Sequence, residues 1–183
     1  MNVQHVAFKI FVDGELDVDW NQFINVFHSW VAAQSMPEMM IDVADYRHVP
    51  NGPGVVMVGH EADYYMDNTD GEPGLRYVSK VARDEGAEQQ IAAAFAAASA
   101  TCGRLEAEID GLKFSRTEFE VTINDRAIAP NTADTRQQLE SLLPSVLNSV
   151  LGCDASLTIQ QDERKLAGAR IVAASPVEIA FSK

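Results

Sequence analysis

Val55–Val81, VVMVGHEADYYMDNTDGEPGLRYVSKV, is the stretch whose reading decides the fold. Apolar and polar residues alternate on both sides of DNTDGEPG, a run of turn formers. Val55–Met66 and Leu75–Val81 therefore read as the arms of an antiparallel hairpin. Counting outward from the turn puts His60, Ala62, Tyr64 and Met66 with Leu75, Tyr77, Ser79 and Val81 on one face. Glu61, Asp63 and Tyr65 fall with Arg76, Val78 and Lys80 on the other, where opposed charges suit a solvated surface.

Before the hairpin, Val3–Val12 alternates, with Val6, Phe8, Ile10 and Val12 on one side and His5, Ala7, Lys9 and Phe11 on the other. Asp13-Gly14 makes a turn, and Asp17 or Asp19 caps a helix whose Trp20, Phe23, Ile24, Phe27, Trp30 and Val31 form one apolar stripe. Such a stripe is expected to be core, and Pro37 is expected to end the helix. MMIDV reads as a short strand and ADYRHVPNGPG as loop. After the hairpin, an alanine-rich helix over residues 86–109 buries Ile91, Phe95, Ala98, Cys102, Leu105 and Ile109. TEFEVTIND is a strand with Phe119, Val121 and Ile123 inward. A third helix starts at Asn131 or Thr132, with Pro144 inside it expected to kink or split it. Ser156–Gln161 and Ala167–Ala174 form a last hairpin, and Val177, Ile179 and Phe181 are set as an edge strand.

FKIFV, a turn, a helix and a hairpin are matched in order by FEVTI, a turn, a helix and a hairpin. The expected fold is α+β in one compact domain over residues 1–183. Two pseudo-repeated β-α-β-β units, residues 3–81 and 118–174, are joined by the long alanine-rich helix, and the sheet is mostly antiparallel. The first unit is longer than the second by the segment around MMIDVADYRHVPNGPG, and a long loop in a compact domain draws attention as a site.

Composition bounds function. Fourteen basic against twenty-seven acidic residues give a net charge of -13, which excludes a nucleic-acid partner. No apolar run has the length of a membrane span, and the N-terminus lacks the basic start and apolar core of a signal peptide, so a soluble, cytoplasmic protein is expected. Cys102 and Cys153 form no CxxC pair and read as reduced. His60-Glu61 is followed by Tyr64 where HExxH needs histidine, DNTDGE does not fit the calcium loop, and neither a phosphate-binding glycine loop nor GxSxG occurs.

What survives is a diffuse set around the 42–54 loop and the 55–66/75–81 hairpin. His48 and His60, with Asp45, are the candidate acid–base residues, since imidazole titrates near neutrality and a carboxylate fixes its tautomer. Tyr46, Tyr64 and Tyr77 are candidate ligand contacts, offering flat apolar surface edged by a hydroxyl. His48, His60 and Asp42 would be the ligands if a metal were held, although none is asserted, and nothing names a cofactor. The expectation is an accessory protein that binds a small molecule or an intracellular protein. The alternative is a small enzyme using His48 and His60.

Overall fold

The computed structural model describes residues 3–179, and Phe181 of the expected edge strand lies outside them. The fold is α+β with an antiparallel sheet. In chain order the elements are β1 (Val6–Val12), α1 (Trp20–Ala33), β2 (Met40–Asp45), β3 (Val55–Gly59), β4 (Ala62–Asp67), β5 (Gly74–Ser79), α2 (Ala87–Glu108), β6 (Phe114–Ile123), α3 (Ala133–Leu151), β7 (Ala155–Ile159) and β8 (Gly168–Ala173). Eight described strands form one sheet in the order β2-β3-β4-β5-β1-β6-β8-β7. The strands β1 and β6 are antiparallel neighbours in its interior, with Phe8 opposite Val121. On either side, β5 lies against β1 and β8 against β6.

The helices share one face of the sheet. Phe8, Ile10, Leu75, Tyr64, Met66, Val55, Met57, Phe119, Val121 and Ile171 point into a single apolar core with the helix stripes. Phe8 meets Phe95 of α2 edge-on, with ring centres 5.3 Å apart. The small side chains of α2 let it lie close over β1 and β5, while α1 covers β2 and β3 and α3 covers β7. Asp19 caps α1 and Thr132 caps α3, each side chain accepting a backbone N–H of the first turn.

Four expectations need correction. Val55–Met66 is not one strand: it breaks at Gly59, and the chain reverses through His60-Glu61 before β4. Glycine is needed there, because a Cβ on Gly59 would stand 2.5 Å from the Ala62 carbonyl oxygen. Helix α1 stops before Pro37, at Gln34, whose backbone turns left-handed at φ 48° and whose N–H closes onto the carbonyls of Trp30 and Val31. Helix α3 runs unsplit through Pro144, whose ring faces outward. The Met66–Leu75 and Tyr64–Tyr77 pairings follow the expected register. The expected edge strand is not formed at Val177 and Ile179, and Val177 N–H donates to the Arg116 carbonyl on β6.

Two substitutions separate the faces. Ala98, fully buried on the inner face of α2, should tolerate no growth: Ala98→Leu is expected to cost about 1–3 kcal/mol in urea unfolding. Glu61 pairs with Arg83 in the open, so Glu61→Ala should stay within about 0.5 kcal/mol of the parent.

Candidate functional site

The residues singled out from sequence are not gathered in one place. His48 and Tyr46 sit together in the β2–β3 loop, ring centres 6.3 Å apart and both exposed. His60 is exposed in the β3–β4 turn, at the opposite end of β3, so the two imidazoles are separated by the length of that strand. Asp42 is exposed on β2, and its carboxylate accepts the Val43 N–H. Asp45 is occupied by Arg47, whose Nε and Nη2 donate to its two oxygens at 2.9 and 2.7 Å. Those side-chain bonds, with the Arg47 backbone N–H, hold the Asp45 carboxyl at about 2. Tyr64 and Tyr77 face the helices rather than an open site and meet edge-on at 5.3 Å. Tyr64 Oη donates to Glu38 Oε1, and burial, with that carboxylate beside it, holds the phenol well above its usual range. Among the described residues no group of three or more His, Cys, Asp or Glu is placed to hold a metal. The 46–54 loop closes on a hollow of only about 190 Å³ lined by Trp20, Arg47, Val49, Gly52, Gly54 and Asn68.

A larger cleft, about 630 Å³, lies on the sheet face that the helices leave uncovered. Strand alternation places Ala7, Lys9 and Phe11 there, and pairing in register continues the row from Lys9 to Arg76 on one side and to Glu120 and Arg170 on the other. The outward face of the first hairpin is thus not simply solvated surface, since Arg76 is half-buried and lines this cleft. Its walls are two turns that leave opposite ends of the sheet. The β4–β5 turn adjoins the Phe11 end of β1, and the β7–β8 turn adjoins the end where Ala7, Thr122 and Gly168 align. They meet over the face through Lys165 and Asp70, whose charged atoms are 2.5 Å apart.

The floor is built by one crossing. Lys9 leans from β1 over β5 to Asp67 on β4, where Nζ donates to Oδ2 at 2.5 Å, with side chains only 4% and 2% exposed. Gly74 lies beneath that path, and a Cβ there would meet Lys9 Cε at 2.9 Å and the Ile10 carbonyl oxygen at 2.6 Å. The same ammonium donates to the Glu72 carbonyl at 2.6 Å and so holds the β4–β5 turn over the sheet. Arg170 stacks on Phe11 at 3.6 Å and reaches Glu72 and Glu118. Arg76 leans the other way, its Nη2 donating to Thr122 Oγ1 on β6. The second wall is fixed by Asn131 Nδ2 to the carbonyls of Gln160 and Asp162, by Arg136 to that of Gln161, and by Arg126 to that of Arg164.

Sequence reading missed every member of this set as a site. The one cue was Lys9, a charge in the middle of VAFKIFV. Compared with known proteins, the chain matches no family model and no curated sequence.

Removing one partner of the buried pair leaves the other charge uncompensated. Asp67→Ala should therefore lower stability by about 3–5 kcal/mol, and the double change Lys9→Met with Asp67→Leu should recover much of it. A loss below about 1 kcal/mol in Asp67→Ala would show the pair to be solvent-screened. The Asp45 prediction concerns pH. A carboxyl depressed in the folded state contributes order above its unfolded value near 3.8 and loses it as pH falls toward about 2. Carboxyl carbon NMR should give Asp45 a midpoint of about 2, and Arg47→Ala should return it toward the usual range.

Proposed function

We propose that this chain is a cytoplasmic small-ligand-binding protein whose site is the cleft on the uncovered sheet face. The observation that supports this most is the buried Lys9–Asp67 pair at the floor of an open cleft. Desolvating two charges is costly, and this pair fixes the cleft's floor and, through the Glu72 carbonyl, one of its walls. The volume lies within the ~300–1,000 Å³ typical of small-molecule sites, whereas the loop hollow falls short of it. Phe11 and Leu166 add apolar surface among the charges, as such sites do. Five of the cleft's residues are cationic and four are carboxylates, a local excess of positive charge in a chain of net charge -13. The overall charge disfavours nucleic acid, the cysteines are free, and no helix among the described residues is long and apolar enough to cross a membrane.

The test is occlusion. Thr158 is exposed on the edge strand β7 and lines the cleft, so Thr158→Trp should fill it while changing stability by no more than about 0.5 kcal/mol. In ligand-observed NMR against a mixture of polar metabolites, the parent should give hits that Thr158→Trp loses. Hits that persist in the variant would place the site elsewhere.

A further inference from the structure

The charges lining the cleft are not all matched within the protein. Lys9 is bound to Asp67, Lys165 to Asp70, and Arg170 to Glu72 and Glu118. Three charged groups are left over. Half-buried Arg76 makes one described bond, to the Thr122 hydroxyl, and exposed Arg126, at the rim, makes one, to a backbone carbonyl. Neither has a carboxylate within ion-pair distance among the described residues, and each guanidinium carries five N–H donors. Glu120, half-buried in the row between Lys9 and Arg170, makes no described hydrogen bond or ion pair: Lys9 and Arg170 are bonded to other carboxylates, and Lys165, close enough to feel its charge, is bonded to Asp70. The bond from Arg76 to Thr122 brings its guanidinium across the sheet to the strand of Glu120, two residues away on the same face. The remaining recognition chemistry is therefore two positive forks and one negative acceptor around a single space.

Resting on the reading of the cleft as a ligand site, we propose that it selects an amphoteric small molecule with two acidic charges and one ammonium, the charge pattern of an acidic amino acid. The acidic groups meet Arg76 and Arg126, for which a bidentate carboxylate or phosphate is the geometric match. The ammonium meets Glu120. A dicarboxylate without the amine brings a further negative group beside half-buried Glu120 with no ammonium to offset it, and a singly acidic amine forgoes the bond to one guanidinium. Discrimination then comes from unpaired charge rather than from shape. Two carboxylates and a single phosphate dianion offer the same chemistry, and the probes separate them.

Calorimetric titration at low salt with L-glutamate, glutarate, 4-aminobutyrate and O-phosphoethanolamine tests the proposal. Either L-glutamate or O-phosphoethanolamine should bind at least about tenfold more tightly than both glutarate and 4-aminobutyrate, and whichever binds identifies the acidic groups. Arg76→Gln and Arg126→Gln should each weaken that ligand by about tenfold or more. Glu120→Gln, which keeps the shape of the residue, should erase the preference for the amine-bearing ligand over glutarate. If glutarate binds as tightly as the better amphoteric ligand, or if Glu120→Gln preserves the preference, the proposal falls. If none of the four binds while the metabolite screen yields hits that Thr158→Trp removes, the charge pattern is wrong and the cleft stands as a site. If neither experiment finds a ligand, both readings fall.

Discussion

The reach of Lys9 across Gly74 to Asp67 constrains more of this fold than any other single contact. It spans three strands, and it exists only if β1, β5 and β4 keep the register in which Phe11, Gly74 and Asp67 align. A slip by one residue would put a side chain under the lysine stem and move the carboxylate to the core face. Buried ion pairs are poor sources of net stability, since desolvation offsets most of the attraction. What this one supplies is specificity: wrong registers leave a charge buried alone, which is far worse than the right register is good.

The same ammonium links the sheet to the turn above it. Its bond to the Glu72 carbonyl holds the β4–β5 turn over the open face, within reach of Arg170 from the second half of the chain. Arg170 in turn covers Phe11, an aromatic that would otherwise stand bare on a face with no helix over it. Polar contacts here do what the helices do on the other side, closing apolar surface against water while leaving a polar interior. The exposed contact between Lys165 and Asp70 is weaker in kind, because half-exposed pairs in water contribute little. The walls are therefore anchored at their bases, by Lys9 on one side and by Asn131 and Arg136 on the other, rather than at the point where they meet.

Much of the scaffold was legible in the sequence because each element has its own local signal. Phe119, Val121 and Ile123 alternate, Asp19 and Thr132 cap helices, and DNTDGEPG turns between paired strands. The break at Gly59 was misread because alternation continues on both sides of it. A change of phase marks it: Val55 and Met57 share the core face with Tyr64 and Met66, which odd and even positions of one strand cannot do. The end of α1 was misplaced because Gln34 adopts a left-handed cap that glycine usually provides. The cleft was illegible for a different reason. Lys9, Arg76, Glu120 and Arg170 come from four strands that are distant in sequence, and only the pairing order makes them a row. Histidines and a long loop attract attention in a sequence, whereas arginines on alternate strand positions look like solubility.

The acidity of the chain bears on how such a cleft would operate. A net charge of -13 repels anions at long range, but at physiological salt that field decays over ~8 Å. Inside the cleft the nearest charges dominate, and these include two guanidinium groups unmatched by any described carboxylate. Any anionic ligand of such a cleft would gain nothing from steering and would depend on contacts made after entry. Selectivity would then rest on whether the half-buried charges find partners once a ligand is seated. That condition would be strictest at Glu120, whose strand neighbours Lys9 and Arg170 are bonded to other carboxylates and which shares the field of Lys165 with Asp70.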